Sequence, residues 1–514
     1  MWTPKGDFMK TAPIFSNNMV LQREKPIRIF GVCGKNHQHS IIAAIPEINV
    51  SVKAIITGEK WMAVLPPLKA CKSCTVEISS GGEKIIYSNV AVGEVWLAGG
   101  QSNMEFELQN DKNGKEALQE CAKENVRFYA VPRCEMADEN LKNAEEQSLW
   151  QTASYKNSAK WSAVGYYFAK KLSRKLGVTV GIIGCNWGGT SASAWMKREY
   201  LAQDSRICNY IEDYDKAISC KTNEQMIAEY DEYVSYHSKW EKKVQQCYAE
   251  NPTVKWDEVL KICGENRYPG PMGIKNPMRP CGLYETMISR ITPYTLAGFL
   301  YYQGESDDHL PETYDVLLKA LIENWRSDWL DDELPFLMVQ LPMHKYESDP
   351  DFKNWPIIRE AQMKVFRTVK NTGLAVCLDC GEFNNIHPTD KKEVGNRLYL
   401  QSLSEVYNLA DKTETLPPLF RNAALENGRI RLFFDNCSGF CSDSDKINGF
   451  EIAGSDGEFI PANAEIDGDT ILLCADFIAP LTAIRYQWTN YAEVNLFGKN
   501  GLPVPTFRNS IYLF

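Results

Sequence analysis

The sequence has no long apolar run and no basic cluster, and these two absences exclude large classes of protein. No stretch of the chain approaches the ~20 apolar residues that a membrane-spanning helix needs. The net charge is −10, and Lys and Arg do not gather into a run or onto one face. Because phosphate binding depends on clustered basic side chains, neither nucleic acid nor an anionic membrane is an expected partner.

The sequence also predicts neither a secretory signal nor a disulfide framework. The first residues, MWTPKGDFMKTAPIF, contain no apolar h-region, so with Met1 as the native start we expect a cytoplasmic protein. Sixteen cysteines without compact spacing agree with free thiols in a reducing compartment. The CxxC pairs Cys71/Cys74 and Cys377/Cys380 lie far apart in the chain, which favours buried thiols over a zinc site. We expect neither a metal nor a cofactor.

A chain of 514 residues is too long for one ordinary core, and its pattern changes along its length. Residues 1–92 show short apolar runs between turn residues and predict a β-sandwich-like domain. Residues 93–415 alternate apolar runs with capped amphipathic segments, which predicts an α/β core with a mostly parallel sheet covered on both faces. A polar helical pattern at about 204–266 predicts an insertion in this core, and residues 416–514 return to short strands.

The core elements follow from these apolar runs. Its strands are predicted at Val95–Ala98, Val178–Cys185, Leu296–Tyr302, Phe336–Gln340 and Leu374–Leu378. Its helices are predicted at Trp161–Leu176, Thr313–Trp325, Ile357–Val369 and Lys391–Leu409. In an open parallel sheet, ligands bind at the carboxyl ends of the strands, so the polar residues after each strand are the candidate site.

Two of those residues can perform acyl transfer. Ser102 follows Gly99-Gly100, which allows a tight turn that presents the hydroxyl above the sheet. A serine hydroxyl is a poor nucleophile at neutral pH, so a histidine must accept its proton. His387, after the last predicted strand, is the favoured base, while His309 and His344 near other strand ends remain alternatives.

Acyl transfer also needs donors for the developing oxyanion, each worth ~3 kcal/mol. The backbone N–H of Ser102, that of Gly188 or Gly189, and the side-chain amide of Gln303 are the candidates. One of the two glycines is expected to be a simple turn residue. Gln303 also has the alternative of capping its strand.

Four segments carry a resemblance to a known family: VWLAGGQSNMEFEL, GIIGCNWGGTSASAWM, GFLYYQGESD and IHPTDKKEVGNRL. In this order they resemble the successive blocks of the SGNH hydrolase superfamily and, more closely, the sialate O-acetylesterase family. The resemblance implies an SGNH-type three-layer α/β/α core and an esterase that removes acetyl groups from sugars without metal or cofactor. It places the nucleophile on Ser102, the oxyanion donors on Gly188 or Gly189 and on Gln303, and the base on His387.

The sequence departs from the superfamily at the acid of the triad. That acid usually stands three residues before the histidine, and here the position is Asn384. Glu382 is the favoured replacement, Asp379 and Glu305 are alternatives, and a Ser-His dyad without any acid also remains open.

Several other residues and functions stay open at this point. Arg359 is expected either to pair with a substrate carboxylate or to form a salt bridge on its helix. Trp187 and Trp195 are expected to pack in the core instead of stacking on a sugar. Sialate and acetylated xylan or mannan fragments are rival substrates. A lipase or thioesterase of the same fold and a non-catalytic carbohydrate-binding protein are the other hypotheses, and the oligomeric state is unknown.

Overall fold

The fold is described from a computed structural model of the chain, which describes residues 9–510 apart from 36, 252–253, 427–428 and 475–481. Within these residues, none of the helices combines the length and the apolar character that crossing a bilayer would require. The chain is a mixed α/β protein.

The N-terminal part consists of strands. These are β1 (Met9–Thr11), β2 (Val20–Gln22), β3 (Ile27–Cys33), β4 (Ile42–Ile45), β5 (Val50–Lys53), β6 (Ile55–Thr57), β7 (Lys60–Leu65), β8 (Cys71–Ser80) and β9 (Glu83–Gly100). One sheet has the order β1-β3-β7-β6, while β2, β4, β5 and β8 join the sheet of β9.

Strand β9 connects the N-terminal sheet with the central one. Its first half pairs antiparallel with β8, and its second half, from Glu94 to Gly100, enters the central sheet. The predicted domain boundary at residues 92 and 93 falls inside this strand, so the backbone runs through it without a linker. The division into three domains therefore stays a prediction.

The central part alternates strands and helices. Up to the insertion it contains α1 (Ser102–Glu105), α2 (Gly114–Glu120), β10 (Val126–Ala130), α3 (Glu139–Gln147), β11 (Gln151–Thr152), α4 (Tyr155–Ser158), α5 (Ala163–Leu176), β12 (Val180–Asn186) and α6 (Arg198–Ala202). The insertion contains α7 (Asn209–Ile218), α8 (Asn223–Glu250) and α9 (Trp256–Cys263). The remaining elements are α10 (Ser289–Ile291), β13 (Gly298–Tyr302), α11 (Tyr314–Asp328), β14 (Phe336–Gln340), α12 (Asn354–Thr368), β15 (Thr372–Val376), α13 (Lys391–Glu405) and α14 (Lys412–Thr415).

The central sheet places β9 between its neighbours β12 and β13. The strand order is β11-β10-β12-β9-β13-β14-β15, and all of these strands except β11 pair in parallel. From β9 the chain goes to one side of the sheet, and after β12 it crosses to β13 on the other side. Such a change of direction opens a crevice at the carboxyl end of the strands.

Helices cover both faces of this sheet. Trp96 on β9 packs edge-on against Phe168 of α5, with a centroid distance of 5.1 Å. Gly99 faces the opposite way, since a Cβ atom there would lie 2.8 Å from the ring of Trp325 on α11. Alternate residues of a strand point to opposite faces, so α5 and α11 lie on different sides of β9.

The predicted core strands and helices are confirmed within a few residues, except that the strand predicted at Val95–Ala98 begins much earlier, at Glu83. Helix α5 ends where Gly177 adopts φ of 68°, the left-handed conformation that glycine provides at a helix end. Helix α13 ends at Glu405, four residues before the predicted end. Strand β10, which contains the charged Arg127, was not predicted because it is short and not continuously apolar. The helical insertion is confirmed, and it lies between β12 and β13.

The C-terminal part consists again of strands. These are β16 (Leu419–Glu426), β17 (Arg429–Asp435), β18 (Phe440–Cys441), β19 (Phe450–Ala453), β20 (Phe459–Pro461), β21 (Asn463–Asp467), β22 (Thr470–Cys474), β23 (Ala483–Tyr486), β24 (Phe497–Gly498) and β25 (Phe507–Ser510). They form small sheets around an apolar cluster of their own. The buried guanidinium of Arg359 on α12 joins this part to the core by donating to the carbonyl of Thr489.

The packing of α11 on the central sheet makes a testable contribution to stability. Trp325 is fully buried and donates its indole N–H to the carbonyl of Trp195 at 2.9 Å. We predict that Trp325→Ala lowers the free energy of unfolding by about 3–5 kcal/mol, because it leaves a large cavity. The measurement is thermal unfolding followed by near-ultraviolet circular dichroism. Trp256→Ala, at a tryptophan that is 44% exposed, is the matched control, and equal melting temperatures for both variants would contradict the prediction.

Candidate active site

The turn after β9 is the first component of the site. Gly100 has φ of 132°, and a Cβ atom there would lie 2.1 Å from the carbonyl oxygen of Tyr302 on β13. Only glycine fits this close approach of two strands. The next residue, Gln101, donates its N–H to the same carbonyl at 3.1 Å, and Ser102 then begins α1.

The loop after β15 brings His387 to this serine. Its Nε2 lies 2.8 Å from Oγ of Ser102, which is a hydrogen-bonding distance. The side chain of Asn385 orients the loop by accepting the backbone N–H of His387 at 3.0 Å. Neither alternative histidine is hydrogen-bonded to Ser102: the ring of His344, although near His387, packs against Tyr346 and Trp355, and that of His309 lies beside Tyr210.

The environment of His387 favours its neutral form. Burial lowers the pKa of the imidazole, and the nearby charge of Lys391 lowers it further. His344 acts in the same direction, whereas the carboxylate of Glu105 raises the pKa. The net direction is downward, so the imidazole is able to accept a proton at neutral pH.

The carboxylates considered as third member of a triad are engaged with other groups. Glu382 accepts from the backbone N–H of Thr389 at 2.7 Å, from its hydroxyl at 2.8 Å and from the amide of Asn385 at 2.7 Å. These bonds fasten the loop that carries His387, but none of them reaches the imidazole. The placement of Glu382 as partner of the base is therefore corrected to a role in holding this loop.

The two alternative acids are also occupied. Asp379 forms a two-pronged ion pair with Arg397 of α13, and its Oδ2 lies 2.7 Å from the guanidinium. Glu305 is buried and accepts from the amide of Asn103 at 2.5 Å. Among the described residues, no hydrogen bond joins the imidazole of His387 to a carboxylate, so the geometry is that of a Ser-His pair.

The glycines after β12 lie beside the serine. A Cβ atom on Gly188 would be 3.2 Å from Cβ of Ser102, so the two residues are in contact. The N–H of Gly188 donates to Oε2 of Glu105 at 2.7 Å, which shows that this N–H already faces an anionic oxygen. Gly189 has φ of 73°, and its carbonyl accepts from the hydroxyl of Tyr268 at 3.2 Å.

Gln303 does not join this group, and its expected role as oxyanion donor is corrected. Its side chain is fully buried, and its amide nitrogen donates to the carbonyl of Thr190 at 3.2 Å and to Oδ2 of Asp307 at 2.7 Å. Its amide oxygen accepts from Tyr314 at 2.8 Å. Because both amide hydrogens are used, Gln303 holds the loop after β12 in place and has none left for an oxyanion.

Comparison with known proteins identifies the family. A family model described as "Carbohydrate esterase, sialic acid-specific acetylesterase" matches residues 92–226 and 270–403, more than half of the chain. The chain belongs to this carbohydrate esterase family. The unmatched segment between the two ranges, residues 227–269, begins in α8 and continues past the end of α9.

The matches between this esterase and its relatives cover almost the whole length of the chain. Sialate O-acetylesterase of Mus musculus is 25% identical and covers 98% of the chain and 94% of that protein. The Homo sapiens protein of the same name is 26% identical, and the match covers 99% of this chain and 94% of that protein. The solved structure of a carbohydrate acetylesterase from Xanthomonas citri is 28% identical, with a TM-score of 0.77, and covers 98% of this chain and 100% of that one.

Two further residues of the esterase site were not assigned by the sequence analysis. Asn103 stands inside the GQSNM segment, yet nothing in its position predicts that its amide binds Glu305 and the carbonyl of Ile386. Lys391 starts α13 in the polar run DKKE, which is typical of an exposed helix start, but it is fully buried. Arg359 is also fully buried and donates to backbone carbonyls, so neither role considered for it applies.

The environment of His387 predicts how kcat/KM depends on pH. The imidazole must be unprotonated to accept the serine proton, so kcat/KM increases as pH rises through the pKa of His387. Because burial and Lys391 lower that pKa, we predict the midpoint of this increase below the ordinary value of 6.5. Initial rates with p-nitrophenyl acetate across the acidic range measure it, and a midpoint above 6.5 contradicts the prediction.

The contacts of Glu382 predict a mild phenotype for its neutral variant. Loss of a true triad acid lowers kcat by about 10⁴. Glu382 holds only the loop, so we expect Glu382→Gln to lower kcat by less than about ten-fold, since an amide oxygen still accepts from Thr389. Steady-state kinetics of the two proteins decide this, and a loss of several orders of magnitude would restore Glu382 as the partner of the base.

Proposed function

We propose that this family esterase hydrolyses O-acetyl esters of sugars through an acyl-enzyme on Ser102, with His387 as general base. The observation that carries the proposal is the 2.8 Å contact between Oγ of Ser102 and Nε2 of His387 at the carboxyl end of the central strand. Family membership and the names of the relatives favour acetylated sugars as the substrate class.

The proposed reaction proceeds in two steps. The imidazole accepts the proton of Ser102 while Oγ attacks the acetyl carbonyl, and the imidazolium then gives that proton to the departing sugar oxygen, which leaves as a hydroxyl group. Water, deprotonated by the same imidazole, hydrolyses the acetyl-serine and releases acetate. The N–H groups of Ser102 and of Gly188 or Gly189 are the proposed donors to the oxyanion.

The helices on both faces of a parallel sheet support assignment to the SGNH type of three-layer core. In this proposal His387 works without a carboxylate partner, and the loop bonds of Glu382 keep its position fixed. The cytoplasmic location expected from the N-terminal sequence stays a prediction.

The test is a comparison of the protein with two serine variants. Ser102→Ala should lower the hydrolysis of p-nitrophenyl acetate by about 10³-fold or more, because the nucleophile is absent. Ser219→Ala, at an exposed serine of the insertion, is the matched control and should keep full activity. Unchanged turnover in Ser102→Ala would overturn the assignment of the nucleophile.

The substrate class has its own experiment. Acetate release is measured with O-acetylated sialic acid and with acetylated xylo-oligosaccharides at equal concentrations of acetyl groups. Release from either supports a sugar O-acetylesterase, and the ratio of the two kcat/KM values ranks them. Hydrolysis of p-nitrophenyl acetate without release from any acetylated sugar would overturn the proposed substrate class.

A further inference from the structure

A cluster of buried polar side chains lies directly behind the Ser-His pair. It consists of Asn103, Glu305 and Lys391, which are 1%, 6% and 0% exposed. The ammonium of Lys391 donates to Oδ1 of Asn103 at 2.5 Å, and Nδ2 of Asn103 donates to Oε1 of Glu305 at 2.5 Å. Buried charges are costly, so such a cluster indicates a task beyond packing.

The amide of Asn103 connects the two catalytic segments. Asn103 is the residue after Ser102, and its Nδ2 also donates to the carbonyl of Ile386 at 3.0 Å. Ile386 is the residue before His387. One side chain thus fixes the distance between the turn that carries the nucleophile and the loop that carries the base.

Lys391 holds this amide in its orientation. An ammonium can only donate, so Oδ1 of Asn103 must face Lys391 and Nδ2 must face Ile386 and Glu305. The charge lies near two aromatic rings, 4.9 Å from the centroid of Phe106 and 5.6 Å from that of Tyr302, which stabilise it.

Two carboxyl groups act against loss of the charge on Lys391. Burial lowers the pKa of this lysine to about 8, while Glu305 and Glu382 act in the opposite direction. The ammonium is therefore mostly retained at neutral pH. Asp111 fixes the start of the helix by accepting the backbone N–H of Lys391 at 2.8 Å.

The groups around His387 come from several elements. Lys391 belongs to α13, His344 to the loop after β14 and Glu105 to α1, and all three influence the pKa of the imidazole. Lys391 is the cation among them, and a nearby cation disfavours the imidazolium.

We propose that Lys391, acting through Asn103, is a positioning residue that sets Ser102 against His387. Its positive charge, which disfavours the imidazolium, supplies the readout that a merely structural role would not change. This inference rests on the proposed Ser-His mechanism. It goes beyond that mechanism by giving Lys391, which no step of the reaction uses, a role in placing the Ser-His pair.

The first experiment compares Lys391→Met with the wild type and with Lys392→Met, a matched variant of the adjacent exposed lysine. For each protein, two quantities are measured as a function of pH. They are kcat/KM for p-nitrophenyl acetate and the rate of fluorophosphonate labelling of Ser102. Loss of the cation should move the acidic midpoint up by about half a pH unit to one pH unit in Lys391→Met. Lys392→Met should keep the wild-type midpoint, and a midpoint in Lys391→Met equal to both controls would overturn the proposal.

A second variant protects the test against misfolding. Lys391→Met leaves Glu305 as an uncompensated buried carboxylate, whereas the double variant Glu305→Gln/Lys391→Met removes both charges together and is expected to fold more stably. The double variant should show the same upward movement of the midpoint, because the charge of Lys391, which lowers the pKa of His387, is absent from it as well. An unchanged midpoint in a folded double variant would also overturn the proposal.

The link through Asn103 is tested by Asn103→Ala. Loss of the bond to Ile386 should lower kcat by about ten- to a hundred-fold with little change in KM, because the pair is misplaced while the substrate pocket is kept. A rise in KM at unchanged kcat would contradict positioning. If the proposed function is wrong, Ser102 of the wild type is not labelled. If only this inference is wrong, the wild type is labelled and the variants do not differ from it as expected.

Discussion

The parallel pairing of β9 with strands on both of its sides is the constraint on which the site depends. Gly100 pairs with Asn186 of β12 and with Tyr302 of β13, so three chain segments end at the same edge of the sheet. The backbone approach at Gly100 excludes a side chain there and turns the chain into α1. Ser102 is therefore placed by a rigid strand, which holds a reacting atom more precisely than a free loop does.

The remaining polar groups at this edge serve mainly to fix loops. Gln303 and Asp307 hold the segment after β12, because Asp307 accepts from Gln303, Ser191 and the N–H of Ala192. Glu382 does the same for the loop after β15. These bonds are buried or half-buried, where an unmade hydrogen bond is costly, so each loop has one strongly preferred conformation. In the proposed mechanism the site is thus a nucleophile and a base surrounded by groups that restrain their backbones.

The sequence predicted the framework better than the roles of individual side chains. Buried parallel strands appear as continuous apolar runs, so β13, β14 and β15 were recognised, and the ends of strands led to Ser102 and His387. The assignments of Gln303 and Glu382 were corrected because their side chains bind Thr190 and Thr389, and no local pattern states which way a polar side chain turns. Lys391 was missed because a lysine at a helix start normally lies in solvent.

A base without an acid partner faces two opposing requirements. It must be neutral before the reaction, which a nearby cation favours, and it must carry a proton during the reaction, which that cation disfavours. Glu105 offsets the second effect, since its carboxylate raises the pKa of His387 while Lys391 lowers it. The same carboxylate accepts the N–H of Gly188 beside Ser102. Because an oxyanion would need that N–H, movement of Glu105 off Gly188 would change the donor set and the charge around the base together.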